Sequence, residues 1–154
     1  MGGSGKDTIY GGQARDLLQG GKDNDHLIGG FGDDTYIYHK GDGTDKISDI
    51  GGNDTLKLQG LTLTDLGFTK NHDNLNIVIK GTNDSISIDN YFNFGKTGNG
   101  FIDGFIAGSK TLQGIANNIG KMAGTNTIEN IHIDNQVLHY QDVLKLIENN
   151  QAII

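Results

Sequence analysis

The sequence predicts a predominantly all-β chain: a parallel β-roll of nonapeptide turns, capped by a β meander with a short C-terminal helix and a helical insertion at about residues 95–126. Three observations lead there. Aspartate recurs every nine residues at Asp7, Asp16, Asp25 and Asp34, each closing a glycine-rich turn. A large apolar residue follows each aspartate two places later, at Ile9, Leu18, Leu27 and Tyr36. Beyond residue 54 the glycine rhythm stops, and short runs of alternating apolar residues replace it. A fixed short period is the mark of a repeat architecture, and alternation is the mark of strands.

Within the repeats the segments Gly2 to Tyr10, Gly11 to Gln19, Gly20 to Ile28 and Gly29 to Ile37 stand in one phase. Each supplies a short strand with one apolar side chain inward, then a turn. Glycine pairs provide positive φ and let the backbone approach an ion closely. Main-chain carbonyls curl toward one point, and aspartate adds a short, hard oxygen donor. Two segments make one coil, so Asp7 is expected to stack with Asp25 and Asp16 with Asp34. A cation that takes about six to eight oxygens at roughly 2.3–2.6 Å suits such a stack, which is the coordination of calcium; magnesium demands tighter octahedral geometry. Asn, Asp and Gly are also ordinary turn formers, and a single segment would read as a turn. Consecutive copies in one phase point to a cation. The second and third segments carry Ala14 and Asp23 at the fourth position, where the others have glycine. A carbonyl donor needs only the backbone, but a positive φ at Ala14 would strain the turn at Asp16.

The register continues past a two-residue slip at Tyr38-His39, through Lys40 to Ser48 and Asp49 to Lys57. Asp45 and Asp54 take the aspartate place, and Ile47 and Leu56 the inward place. Asp25 is then expected to stack onward with Asp45, and Asp34 with Asp54.

The remaining elements follow in order. Thr55 to Leu58 alternates and ends the coil. Leu66 to Lys70 and Leu75 to Lys80 read as strands joined by Asn71 to Asn74, with Leu75, Ile77 and Ile79 on one face. Gly81 to Asp84 turns into Ser85 to Ile88, with Ile86 and Ile88 inward, and Tyr91, Phe92 and Phe94 form an aromatic plug. The insertion from Gly95 to Asn126 carries Leu112, Ile115, Ile119 and Met122 at helical spacing. It reads either as a helix packed on the meander or as a surface for a partner or membrane. Ile128 to Ile133 is a strand, and Asp134 to Gln136 turns into Val137 to Tyr140. Asp142 opens a helix with Val143, Leu144 and Ile147 on one face.

Composition narrows the function classes. Acidic residues outnumber basic ones by seven in 154 residues, and only Glu129 and Glu148 among them are glutamates. Gathering these carboxylates without a cation costs Coulomb energy, so the free chain should resist compaction. The acidic balance argues against nucleic acid as a partner. There is no cysteine for disulfides or zinc thiolates. No apolar run approaches the length of about 18 residues that would span a membrane, and no cleaved leader is evident. The length suits one domain or two small ones, divided here into 1–58 and 59–154. Met1 leads straight into a repeat, so the chain is expected to be the C-terminal part of a longer polypeptide.

The repeats resemble the G-G-x-G-x-D-x-U-x nonapeptide of the RTX family, the haemolysin-type calcium-binding repeats of bacterial exported proteins. The flank is similar too: Gly41 to Asp45, Gly51 to Leu56, a meander, the strand Ile128-Glu129-Asn130-Ile131 and a terminal helix. The resemblance implies several calcium ions held by Asp7, Asp16, Asp25, Asp34, Asp45 and Asp54. Further donors would come from Gly2, Ser4, Gly11, Gln13, Gly20, Gly21, Lys22, Asp23, Gly29, Gly30, Phe31, Gly32, Gly41 and Gly43. It also implies a protein of toxin or adhesin type that leaves a Gram-negative bacterium through the type I secretion apparatus and folds on extracellular calcium, meeting a host-cell surface or membrane through its parent polypeptide. Two other roles fit the same residues: an adhesion or receptor-binding module stiffened by calcium, or the non-catalytic end of an exported hydrolase.

Catalysis is not expected. H-E-x-x-H and G-x-S-x-G are both absent. Gly95-Lys96-Thr97 imitates the end of a P-loop, but Asn90 stands where its first glycine belongs. His26, His39, His72, His132 and His139 show no ligand spacing, and His132 and His139 read as sheet histidines.

Overall fold

The computed structural model describes residues 1–92 and 128–152; the predicted insertion at 95–126 and Phe94 lie outside them. Its front half is a coil of short strands that alternate between two sheets. β2 (Thr8–Gly12), β5 (His26–Gly30) and β7 (Thr44–Ser48) run parallel in one sheet; β3 (Leu17–Gln19), β6 (Thr35–His39) and β8 (Thr55–Gln59) run parallel in the other. The pair β1 (Gly3–Ser4) and β4 (Gly21–Lys22) stacks one turn on the next.

Register follows the spacing of the aspartates. Thr8 faces His26 and Leu17 faces Thr35, one eighteen-residue coil apart. After the slip at Tyr38-His39 the coil lengthens to twenty residues, and His26 faces Lys46 while Thr35 faces Thr55. The turns work because their second and fourth positions take positive φ: 114° at Gly3 and 98° at Gly5, 106° at Gly30 and 113° at Gly32. Asp23 fills the fourth position of its turn at φ 85°, whereas Ala14 stays out of the left-handed region. The strain anticipated at Ala14 does not arise.

The C-terminal flank extends both sheets. β11 (Ser85–Ile88) adds in parallel to β7, and the antiparallel strands β10 (Asn74–Ile79) and β9 (Leu66–Asn71) continue beyond it. β12 (Asn130–Ile133) adds in parallel to β8, and β13 (Gln136–Leu138) pairs antiparallel to β12. A short 3-10 turn (Leu63–Asp65) leads into β9, and helix α1 (Tyr140–Ala152) packs against the flank.

One apolar core runs through the described residues. Leu18, Leu27, Tyr36, Ile47 and Leu56 fill the roll between its two sheets. Ile77, Ile79, Ile86, Ile88, Ile131 and Val143 carry that core on into the flank. Ile9, in the outermost coil, is only partly buried. Tyr91 packs edge-on to Phe92 at 5.1 Å and stacks on Tyr140 at 5.6 Å.

Tyr140 was expected to end a strand, yet it begins the helix. The Asp142 carboxylate accepts the His139 N–H at 3.0 Å, so the helix is capped two residues earlier than its acidic residue suggests.

A chain ending at Gln59 would lose the two strands that cover β7 and β8, leaving Ile47, Leu56 and Leu58 on open sheet edges. Its calcium-induced circular-dichroism transition is expected to need a higher calcium concentration than that of the whole chain. An equal midpoint for both would show that the coils do not depend on the flank.

Candidate metal centre

The aspartates form two ladders, one along each row of turns. Each carboxylate after the first in its row receives the main-chain N–H of the aspartate one coil earlier. Asp7 N–H donates to Asp25 Oδ1 at 2.8 Å, and Asp25 N–H to Asp45 Oδ1 at 3.0 Å. On the other row Asp16 N–H donates to Asp34 Oδ1 at 2.8 Å, and Asp34 N–H to Asp54 Oδ1 at 2.8 Å. The fixed phase of the sequence causes this: each aspartate precedes a strand, so in-register pairing of the strands sets its carboxylate beside the amide above.

In Asp25, Asp34 and Asp54 one carboxylate oxygen thus holds the coil together while the other is left without a partner. Oδ2 of Asp7, Asp16, Asp25, Asp34 and Asp54 is buried with no hydrogen-bond partner. A carboxylate is acceptor-only when ionised, and an isolated buried charge is strongly unfavourable. Bare oxygens on two successive coils of each row therefore require protons or a cation.

The glycines opening each turn leave the room. A Cβ on Gly2 would collide with Asp7 Oδ2 and lie 2.5 Å from Gly20 O; on Gly11 it would lie 2.8 Å from Asp16 Oδ2 and 2.7 Å from Gly29 O. A carboxylate oxygen and the carbonyl of the next coil therefore border one small space. Hard, anionic and carbonyl oxygens in that arrangement fit calcium. Bound there, calcium would supply the positive charge that the ladder lacks.

The other predicted donors differ in what they already do. Gly20 O accepts Gly3 N–H at 2.9 Å, and Gly43 O accepts the Tyr38 hydroxyl at 2.6 Å. Gly30 O accepts both Ile50 N–H and Gly51 N–H at 3.2 Å, which uses both its lone pairs. Asp23 turns its side chain outward, and its Oδ2 accepts Gly5 N–H at 2.9 Å. Arg15, adjacent to Asp16 in sequence, points to Asp33 at 3.8 Å across an exposed surface, a contact worth little.

Two carboxylates at this centre were not anticipated. Glu129 Oε2 accepts Asp54 N–H at 2.6 Å and so continues one ladder from a strand far along the chain. The opposite ladder stops at Asp45, because β11 sets Ile86 beside it. Asp49 is buried; it accepts the Tyr36 hydroxyl and, at 2.9 Å, the Gly51 N–H. Its carboxylate, with those of Asp34 and Asp54, presents oxygens within 4.8 Å of one another. Glu129 carried no spacing signal, since its rung spans 75 residues. Asp49 did carry one, as an acid at the opening position that is glycine in the first four turns.

Burial dominates the electrostatics. It pushes Asp54 up to about 9, with the neighbouring Asp49 adding to the rise, and Asp45 up to about 7, with Asp25 and Asp42 adding. Asp34 and Asp49 are raised for the same first reason.

Residues 1–36 match the family model of the RTX calcium-binding nonapeptide repeat, in four copies. No curated protein matches the chain. The match marks the front of the chain as RTX-type calcium-binding repeats and covers the first four turns; the turns at Asp45 and Asp54 are recognised by their geometry.

Two outcomes follow from the ladder. Asp25 has a coil on either side and Asp7 only one described neighbour, so Asp25→Ala is expected to weaken two calcium ions and Asp7→Ala one; isothermal titration that returns the same stoichiometry for both would count against shared sites. The pH response is the other. Asp45 and Asp54 have folded-state values above the unfolded value of about 3.9. The ion-free fold then binds more protons than the unfolded chain, so its stability is full below pH 4 and falls as pH rises through about 7 and about 9. Circular dichroism in chelator should show more structure at pH 5 than at pH 8. Calcium must displace those protons, so its affinity should fall at the lower pH.

Proposed function

We propose that this RTX calcium-binding module is the calcium-triggered folding segment of a secreted bacterial protein of toxin or adhesin type, exported by a type I apparatus and folded outside the cell. The observation that carries the reading is the set of buried Oδ2 atoms without partners: Asp7, Asp16, Asp25, Asp34 and Asp54. A fold that sets these oxygens inside the chain is incomplete where calcium is scarce and complete where it is plentiful.

The physical sequence is direct. In a cytoplasm with little free calcium the carboxylates repel, glycine-rich turns gain most from disorder, and the chain stays open enough to thread through a channel. Outside, calcium at about 10⁻⁴–10⁻³ M falls in the affinity range of extracellular modules. Binding energy then becomes folding energy, because the site exists only when two coils are stacked. The role is one of binding and not of catalysis. No helix among the described residues is long and apolar enough to cross a membrane.

The test is a titration followed by far-ultraviolet circular dichroism. In chelator the roll should be largely disordered, and millimolar calcium should produce a β-rich spectrum. Equimolar magnesium should do much less, since it dehydrates reluctantly and demands octahedral geometry. Equal structure in chelator and calcium would remove the trigger. Export of a passenger fused to the chain, in cells with and without a type I apparatus, tests the secretion step.

A further inference from the structure

The turn at Asp49 differs from the repeat pattern in a way that changes its chemistry. Each of the four matched repeats opens with glycine, and at Gly2 and Gly11 a main-chain carbonyl of the next coil lies beside the aspartate's bare oxygen. At Gly29 the neighbouring atoms are instead Asp34 Oδ2, the Tyr36 hydroxyl and Asp49 Oδ2, at 2.6 Å from a notional Cβ. A side-chain carboxylate has entered the space that backbone borders at Gly2 and Gly11.

No ion pair among the described residues reaches the group. Asp34 is 1% exposed and Asp54 fully buried, and Oδ2 of each has no hydrogen-bond partner. Asp49 is 4% exposed and receives the Tyr36 hydroxyl and the Gly51 N–H, which orient it. The described ion pairs tie Arg15 to Asp33, His39 to Asp42 and Lys46 to Asp89, none of them at this cluster. Three carboxylates, two carrying bare buried oxygens, therefore converge where the other rungs bring two.

We propose that Asp34, Asp49 and Asp54 form a distinct three-carboxylate calcium site, with Asp49 a ligand supplied from outside the repeat's own aspartate ladder, and that this site fills first and sets the calcium threshold of the roll. The proposal rests on the calcium-triggered reading above. Affinity for calcium rises with the number of charged ligands and with the rigidity of the site. Both are greatest here: Glu129 anchors Asp54 by its main-chain N–H, and Tyr36 and Gly51 anchor Asp49. The site also lies where β8 meets β12, so filling it would lock the coil onto the flank before the outer coils order.

Terbium, a calcium mimic whose emission is sensitised by a nearby tyrosine, reports this site through Tyr36. In the whole chain the first increment of terbium should give tyrosine-sensitised emission, and Tyr36→Phe should remove that first phase. Asp49→Asn and Asp49→Gly should both raise the calcium midpoint for folding by about tenfold. Asp49→Gly restores the residue the repeat uses elsewhere, and it guards against a simple failure to fold; both variants should reach the wild-type spectrum at saturating calcium. Asp7→Asn, at the outer coil, should leave the first terbium phase in place. A wild-type midpoint and an unchanged first phase in both Asp49 variants would overturn the three-carboxylate site while leaving the calcium trigger standing. A wild-type chain with no calcium-dependent step would overturn both.

Discussion

Everything in this fold depends on a divided carboxylate. In Asp25, Asp34 and Asp54 one carboxylate oxygen takes a main-chain N–H from the coil before it, and the other is buried without a donor. The first contact is a charge-assisted hydrogen bond, strong and geometrically demanding. The second is a deficit that no ion pair among the described residues corrects. Strand register, turn conformation and the choice of glycine at the opening position all serve to place these two oxygens. The same residue that aligns the coils also presents an oxygen suited to a cation.

This arrangement differs from a fold stabilised by its core alone. The roll interior is narrow and receives one or two large side chains per strand, such as Leu27, Ile47, or Tyr36 with Tyr38. Burial of a side chain of that size contributes about 1.5–3 kcal/mol, and the ordering of each glycine-rich turn opposes it. The flank, where Leu75, Ile77, Ile86, Ile88, Ile131 and Ile133 are all buried, carries a denser apolar interior. The chain thus joins a region of calcium-binding repeats to one built largely from hydrocarbon, and parallel pairing of β7 with β11 and of β8 with β12 runs the two together without a break in either sheet.

Much of this was legible from spacing. A nine-residue period, with aspartate at one place and an apolar residue two places on, predicted which aspartates stack, including the steps from Asp25 to Asp45 and Asp34 to Asp54 across the slip. Alternation predicted β9, β10 and β11 and the shared face of Leu75, Ile77 and Ile79. The unread parts have physical reasons. Glu129 reaches Asp54 through tertiary pairing, which leaves no local trace. Asp49 stands out as an acid where the first four turns open with glycine, but only the coil places it beside Asp34. Tyr140 follows an alternating run, and only the bond from His139 to Asp142 decides that its backbone turns helical. Sequence period reports what repeats; it is silent about what enters a repeat from outside.

The rung between Asp54 and Glu129 closes a span of 75 residues, whereas the rungs within the roll close spans of eighteen or twenty. Loop-closure entropy grows only logarithmically, and each doubling of length costs about 0.6 kcal/mol. Carrying the ladder from Asp54 to Glu129 therefore costs only about two doublings, roughly 1.2 kcal/mol, more than a rung inside the roll, provided β12 returns to β8. A carboxylate remote in sequence can thus serve the lattice of amides and carboxylates almost as readily as one the repeat supplies.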